Sequence, residues 1–320
     1  MLERWLSRLA PKGRAGDAGA GRARLLDGLA VRAFARRGQC RLALAPGALT
    51  VRRVGASRKV PALFVERPLP AGVEAQPEAL AALIAAALDE SGGRGLPVQV
   101  TFADALVRYF IVTPADNSVR MQDLRAAAGA RLQALYGDDP AGWQIVADWR
   151  AAEPFLACAV SRRWTDALQQ AVAAGRGCLV SAQPEFIAAW NRSRRELDAG
   201  TWLATRGERA LTLGLIAAGP RARVAAVRTL ALPDPVPSLG WLRAQVARAA
   251  LLDDLPAPTT LLLHGPRCEA WLPGATDFTD PGMSVRWAAP GEAGAAGDPL
   301  ARVAAPAAPA VPRGWSESAR

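Results

Sequence analysis

Histidine is nearly absent from this chain: His264 is the only one. Its four cysteines, Cys40, Cys158, Cys178 and Cys268, are scattered and form no Cys-x-x-Cys pair. Zinc sites need three or four closely spaced His and Cys ligands, so these scarcities argue against one. Lone thiols with apolar neighbours suit a reducing compartment, with no disulfide framework. Long apolar runs are missing too. The longest, Ala79–Leu88, is mostly alanine and falls short of the roughly 18–20 residues that span a bilayer. The opening MLERWLSRLAPKGRAG has no apolar core of a secretory signal. A cytoplasmic protein is the expectation.

Lysine is the next scarcity. Only Lys12 and Lys59 occur, and every other basic side chain is arginine; the net charge is +10. Such a balance invites nucleic acid as a partner. The arginines are dispersed, however, apart from groups at Arg32–Arg37, Arg52–Arg58 and Arg192–Arg195. There is no RNP aromatic pattern, helix-turn-helix signature or zinc finger to accompany them. An acidic protein or an anionic membrane surface would be served equally well by this charge.

What is present is alternation. Hydrophobic residues make up 51% of the 320 residues, enough for a sizeable core. Strands are predicted at Arg41–Leu44 and Ala48–Val54 around Pro46-Gly47, a hairpin signal, and at Ala62–Glu66. A helix follows over Pro77–Asp89, with proline in its first turn. Strands at Val98–Phe102 and Val107–Thr113, a helix at Met121–Tyr136, and strands at Trp143–Trp149 and Phe155–Val160 come next. Ser161 is placed to cap a helix over Arg162–Ala174. Cys178–Ala182 reads as a strand, and Pro184 opens a helix over Glu185–Leu197.

The pattern then restarts. Strands are predicted at Trp202–Thr205, Ala210–Ile216 and Val224–Leu230, with turns at Gly207 and Gly219-Pro220. A helix over Leu239–Leu251 and strands at Thr259–Leu263 and Val285–Trp287 complete it. Residues 1–38 read as a basic flexible segment whose amphipathic start carries Trp5. Residues 290–320 read as a disordered Ala/Pro-rich tail. Between them lie two α/β units, 39–182 with a small insert and 200–289, joined by a connecting helix within 183–199.

Three loops and the connecting helix carry a resemblance. The first loop is LALAPGALTVRRV, Leu42 to Val54. The second is LATRGERALTLGLI, Leu203 to Ile216. The third is LLLHGPRCEAWLPG, Leu261 to Gly274. The connecting segment is SAQPEFIAAWN, Ser181 to Asn191. In order and spacing they resemble the phosphate, adenosine and connecting motifs of the actin-like ATPase superfamily, most closely its PilM-like and GspL-like pilus-assembly and secretion branch. The resemblance covers roughly Gln39 to Trp287. It implies a two-domain actin-like (ribonuclease H-like) α/β fold with mixed sheets. Gly47, Gly207 and Gly265 match the turn glycines. Ala45 and Thr205 stand where the family has acids, and Pro266 replaces the second adenosine-loop glycine.

Phosphoryl transfer needs a metal positioned near the phosphates, usually by carboxylates and water. With Ala45 and Thr205 in those places, no catalytic residue, nucleotide cofactor or metal is expected. Tight turns that select glycine for positive φ account for the remaining glycines. The other candidates are weak. His264 has no acid near it in sequence except Glu269, and no Gly-x-Ser-x-Gly elbow exists. Asp138-Asp139 and Asp253-Asp254 read as solvated loop acids, and Asp104 is a further lone carboxylate. Cys158 and Cys178 read as buried, inert thiols, and Trp143, Trp149, Trp190 and Trp202 as core.

The expected function is a non-catalytic cytoplasmic scaffold of a type IV pilus or type II secretion-like machine. Its partner would be an inner-membrane assembly protein, captured by a short cytoplasmic segment on the exposed sheet and insert at Val107–Trp149. A weakly nucleotide-binding ATPase is the alternative. A nucleic-acid or anionic-surface binder is the second.

Overall fold

The computed structural model describes residues 38–55, 63–115, 120–151, 153–217, 222–272 and 282–288. Residues 1–37 of the expected N-terminal segment, the whole of the expected 290–320 tail, the Gly219-Pro220 turn and the Pro273-Gly274 pair lie outside them.

Two five-stranded mixed sheets share one strand plan. In the first, β1 (Gln39–Ala45), β2 (Ala48–Val54) and β3 (Leu63–Pro68) form an antiparallel meander. β4 (Pro97–Phe102) then joins β1 in parallel, and β8 (Cys178–Pro184) joins β4 in parallel. The second sheet repeats this with β9 (Thr201–Arg206), β10 (Ala210–Ala217) and β11 (Arg223–Ala231) as the meander. Its parallel strands are β12 (Thr260–His264) and β13 (Ser284–Trp287). The spatial orders are β3-β2-β1-β4-β8 and β11-β10-β9-β12-β13. Parallel neighbours need long crossovers. The first sheet makes one with α1 (Pro77–Glu90), and the second with α5 (Leu239–Leu252).

An insert follows β4. It is a three-stranded antiparallel sheet of order β5-β7-β6, from β5 (Val107–Val112), β6 (Trp143–Ala147) and β7 (Phe155–Ser161), with α2 (Met121–Tyr136) on one face. β7 is buried along nearly its whole length. Its alternating residues explain why: Ala157 and Ala159 pack under Leu124, Ala128 and Leu132 of α2. Leu156, Cys158 and Val160 face the other way, into the main core. The expectation of an exposed sheet over Val107–Trp149 is therefore corrected. Both faces are covered, and what stays open is the outer edge of β6 and the outer side of α2.

After β7 come α3 (Arg162–Ala174) and, beyond β8, α4 (Glu185–Ser193). Ser161 occupies the N-cap position of α3, but its hydroxyl makes no cap hydrogen bond. α4 ends four residues before the expected Leu197. Its buried Phe186, Ile187 and Trp190 join one core with Leu42, Leu80 and Val100 of the first layer. Leu203, Ile216 and Val224 of the second sheet belong to the same cluster. A separate cluster under α5 is built on Trp202, Leu213, Leu242, Val246 and Trp271. Trp190 and Trp202 are core as expected, whereas Trp143 and Trp149 are only half-buried.

Candidate functional site

In open sheets with parallel strands, ligands gather beyond the carboxyl ends of those strands. Here β1, β4, β8 and β9 all deliver their carboxyl ends to one place. The β1–β2 hairpin contributes Ala45 and Pro46; the β9–β10 hairpin contributes Gly207, Glu208, Arg209 and Ala210. Asp104, just past β4, and Glu185, the first residue of α4, complete the lining. Two of the loops that carry the resemblance thus meet across one gap. The gap has a volume of about 20 Å³. That holds a water molecule, against the roughly 300–1,000 Å³ of small-molecule sites.

A polar knot closes the gap from beneath. Asp104 is 1% exposed. Its Oδ1 accepts from the Tyr109 hydroxyl at 2.5 Å and from the Phe186 backbone N–H at 3.0 Å. The Thr205 hydroxyl donates to its Oδ2. The backbone N–H of Asp104 donates to Glu185 Oε2 at 3.3 Å. One carboxylate therefore ties the end of β4 to β5 of the insert, to α4 and to β9 of the second sheet. Burial raises the Asp104 carboxyl above its ordinary value, against the opposing pull of the hydrogen bonds from Thr205, Tyr109 and Phe186. Burial likewise pushes the Tyr109 phenol well up, and the nearby Asp104 adds to it. The phenol of Tyr109 therefore stays protonated at neutral pH and acts as a donor. Tyr109 also meets the Phe186 ring edge-on, with centroids 5.5 Å apart.

The role of Asp104 was missed from sequence. The one available signal was an acid stranded in the otherwise apolar stretch around FADALV.

The remaining loop positions divide by cause. Gly47 has φ +82° and open space around it, so the hairpin turn alone requires it. Gly265 has φ +107°, and a Cβ there would run into the Arg206 carbonyl oxygen. Gly207 does not carry the expected positive φ. A Cβ there would sit 3.3 Å from Glu185 Oε2, a tight contact with the movable end of a side chain. The Pro266 carbonyl accepts from Arg206 Nη1 at 2.9 Å, and the Arg206 guanidinium lies over the Trp271 ring at 5.8 Å. The third loop is thereby tied to β9 through protein contacts.

The other candidate residues are structural by their contacts. Asp139 accepts from the Ala141 N–H at 3.0 Å. Asp253 pairs with Arg228 at 2.6 Å, and Asp138 lies 3.7 Å from Arg108. His264 is buried and hydrogen-bonded to Ser193 at 2.8 Å, not to Glu269. Burial, with Arg192 adding to it, lowers its imidazole to about 4. Cys40 and Cys158 are buried, while Cys178 and Cys268 are half-buried; all four are free thiols. Burial raises Cys40, Cys178 and Cys268, which leaves them poor nucleophiles at neutral pH. Among the described residues no group of three or more His, Cys, Asp or Glu side chains could hold a metal ion.

The duplicated strand plan and the meeting of its hairpins define an actin-like ATPase fold. One superposition with a solved structure agrees in fold. A chain of the PilM–PilN type IV pilus biogenesis complex superposes with a TM-score of 0.52 at 17% identity, over 78% of this chain and 88% of that one. The cytoplasmic domain of EpsL, an inner-membrane component of the type II secretion system of Vibrio cholerae, gives 0.47 at 13% identity, over 79% and 90%. A Bacteroides thetaiotaomicron protein with an actin-like ATPase fold and unknown function gives 0.48 at 7% identity, over 79% and 92%. No protein-family model and no curated protein matches the chain. Among the described residues no helix is long and apolar enough to cross a membrane.

Proposed function

We propose that this protein is a non-catalytic scaffold of a type IV pilus or type II secretion-like machine, working at the cytoplasmic face of the inner membrane. The observation that carries the reading is the closed gap between the two hairpins. Where a nucleotide would bridge the two halves of an actin-like fold, Thr205 and Asp104 bridge them instead. Ala45 supplies no carboxylate for a metal, and about 20 Å³ of space supplies no room for phosphates. In this reading residues 39–182 and 200–289 are the two domains and α4 their connector. The Asp104 knot does the joining that bound nucleotide does elsewhere in the fold.

The partner is an inner-membrane assembly protein that offers a short cytoplasmic segment. The likeness to a chain from the PilM–PilN complex supports this choice. The open outer edge of β6 can accept such a segment as an added strand. Exposed Leu135 and Tyr136 on α2 offer apolar contact nearby. An anionic membrane surface would add to the attraction of a chain with net charge +10.

Calorimetry with ATP and magnesium tests the central point. No heat of binding is expected up to about 1 mM, a concentration that would register even a weak site. Micromolar affinity would sink the scaffold reading in favour of an ATPase. Capture of a peptide from the cytoplasmic end of an inner-membrane assembly protein tests the partner. Ile145→Pro, which removes a β6 backbone donor, should abolish that capture.

A further inference from the structure

A second cavity lies at the other end of α4. It has a volume of about 360 Å³ and opens between the last turn of that helix and the β12–β13 edge of the second sheet. Arg192, Ser193 and Glu196 line it from the helix side, and His264, Arg286 and Leu262 from the sheet. It is separate from the closed gap. Glu185 borders the gap and Arg192 borders the recess, about 10 Å further along the helix at 1.5 Å per residue.

Two of its three charged lining groups are guanidiniums. Arg192 and Arg286 reach it from different elements, and both are exposed. Among the described residues neither has an ion-pair partner. Two guanidiniums at one recess suit a phosphate, whose oxygens accept forked N–H donors. An inorganic ion would leave most of 360 Å³ unfilled, so the occupant has an organic part to pack on Leu262. Glu196 is a carboxylate at the same recess. It repels an extended polyanion and accepts hydrogen bonds from a hydroxyl or amine.

Ser193 and His264 are paired at 2.8 Å, as in a nucleophile and its base. No carboxylate among the described residues orients the imidazole, and an imidazole lowered to about 4 is a feeble base. Binding rather than turnover is what the recess supports.

We propose that the recess between α4 and β13 binds a small organic phosphate, with Arg192 and Arg286 holding the phosphate group. The proposal does not rest on the scaffold reading, since the recess is open whether or not the gap above it ever admits nucleotide.

Because His264 is the chain's only histidine, its ring protons give a single NMR reporter in the untagged full chain. The probes are ribose 5-phosphate, glycerol 3-phosphate and AMP, with inorganic phosphate and an oligoglutamate peptide as comparisons. At least one organic phosphate should bind saturably below about 1 mM and move the His264 resonance. Arg192→Ala and Arg286→Ala should each weaken it by about tenfold or more, the loss expected for a charge-assisted contact. Both positions are exposed, so the variants should fold; an unchanged unfolding midpoint checks this. Four results would overturn the proposal. They are no saturable binding by any of the three probes, binding indifferent to both substitutions, inorganic phosphate binding as tightly as the organic phosphates, and the oligoglutamate alone moving the resonance.

Discussion

Replacing Asp104 separates its role as a joint from the mere presence of a buried acid. Asp104→Ala removes the acceptor for three donors at once: the Tyr109 hydroxyl, the Thr205 hydroxyl and the Phe186 N–H. Each buried donor left without an acceptor costs about 1–3 kcal/mol. A water entering the space recovers part of that, so a net loss of about 4 kcal/mol is expected. Asp104→Asn keeps the shape and one carbonyl oxygen. Its Oδ1 can still accept from Tyr109 and Phe186, and the Thr205 hydroxyl can turn to accept from the new amide. It should lose about 1 kcal/mol or less. Urea unfolding of both variants, with slopes compared to the parent, measures the difference. The sign with pH is an independent check. Burial raises the Asp104 carboxyl in the fold, so the folded state binds the proton more readily than the unfolded chain. Wild-type stability should therefore fall relative to Asp104→Asn as pH rises above the ordinary value of 3.8. If the alanine and asparagine variants lie within about 1 kcal/mol of each other, the joint is not what holds the two sheets together.

His264 should behave in the opposite sense. Its imidazole is lowered from 6.5 to about 4, so it stays neutral in the fold and takes a proton on unfolding. Its stabilising contribution is complete above about pH 6.5 and drains away as pH falls toward 4, by about 3 kcal/mol. Stability of wild type minus His264→Gln, measured across that window, should shrink by this amount; a flat difference rejects it. Thr205→Asp puts an acid at the second hairpin and so sets a second carboxylate beside a buried one. It should destabilise by about 3 kcal/mol or more without conferring magnesium-ATP binding, and calorimetric binding by this variant would show that the gap can open. Gly265→Ala drives a Cβ into the Arg206 carbonyl at a left-handed φ. A loss of about 2–4 kcal/mol is expected in thermal or urea unfolding, and a neutral result would mean that the third loop is free to move.

Much of the architecture was written locally. Hydrophobic periodicity and turn residues put strands at Ala48–Val54 and Phe155–Val160 and helices at Met121–Tyr136 and Arg162–Ala174, within a residue of their observed ends. Gly137 ends α2 at φ +72°, as a helix-terminal glycine should. Such signals are legible because they depend on neighbours a few residues away. Errors arose where distant contacts decide. The segment Arg194–Leu197 continues the apolar period of α4, yet the helix stops at Ser193, and Leu197 reaches the core from the turn that follows. Gly207 reads as a positive-φ turn glycine, yet its φ is not positive, and Glu185 of α4 comes close to it instead.

The sequence by itself determined which strands and helices form, their repeated order, and that neither Ala45 nor Thr205 carries a carboxylate. It did so because propensity, period and residue identity are properties of short stretches. Tertiary structure alone decided what meets at those hairpins. Asp104 and Thr205 stand 101 residues apart in the chain and meet only because two parallel strand ends from two sheets converge on one gap. The same holds for Arg192 and Arg286, brought to one recess by a helix and an edge strand. No spacing in the chain encodes either meeting; burial of the shared core under α4 does.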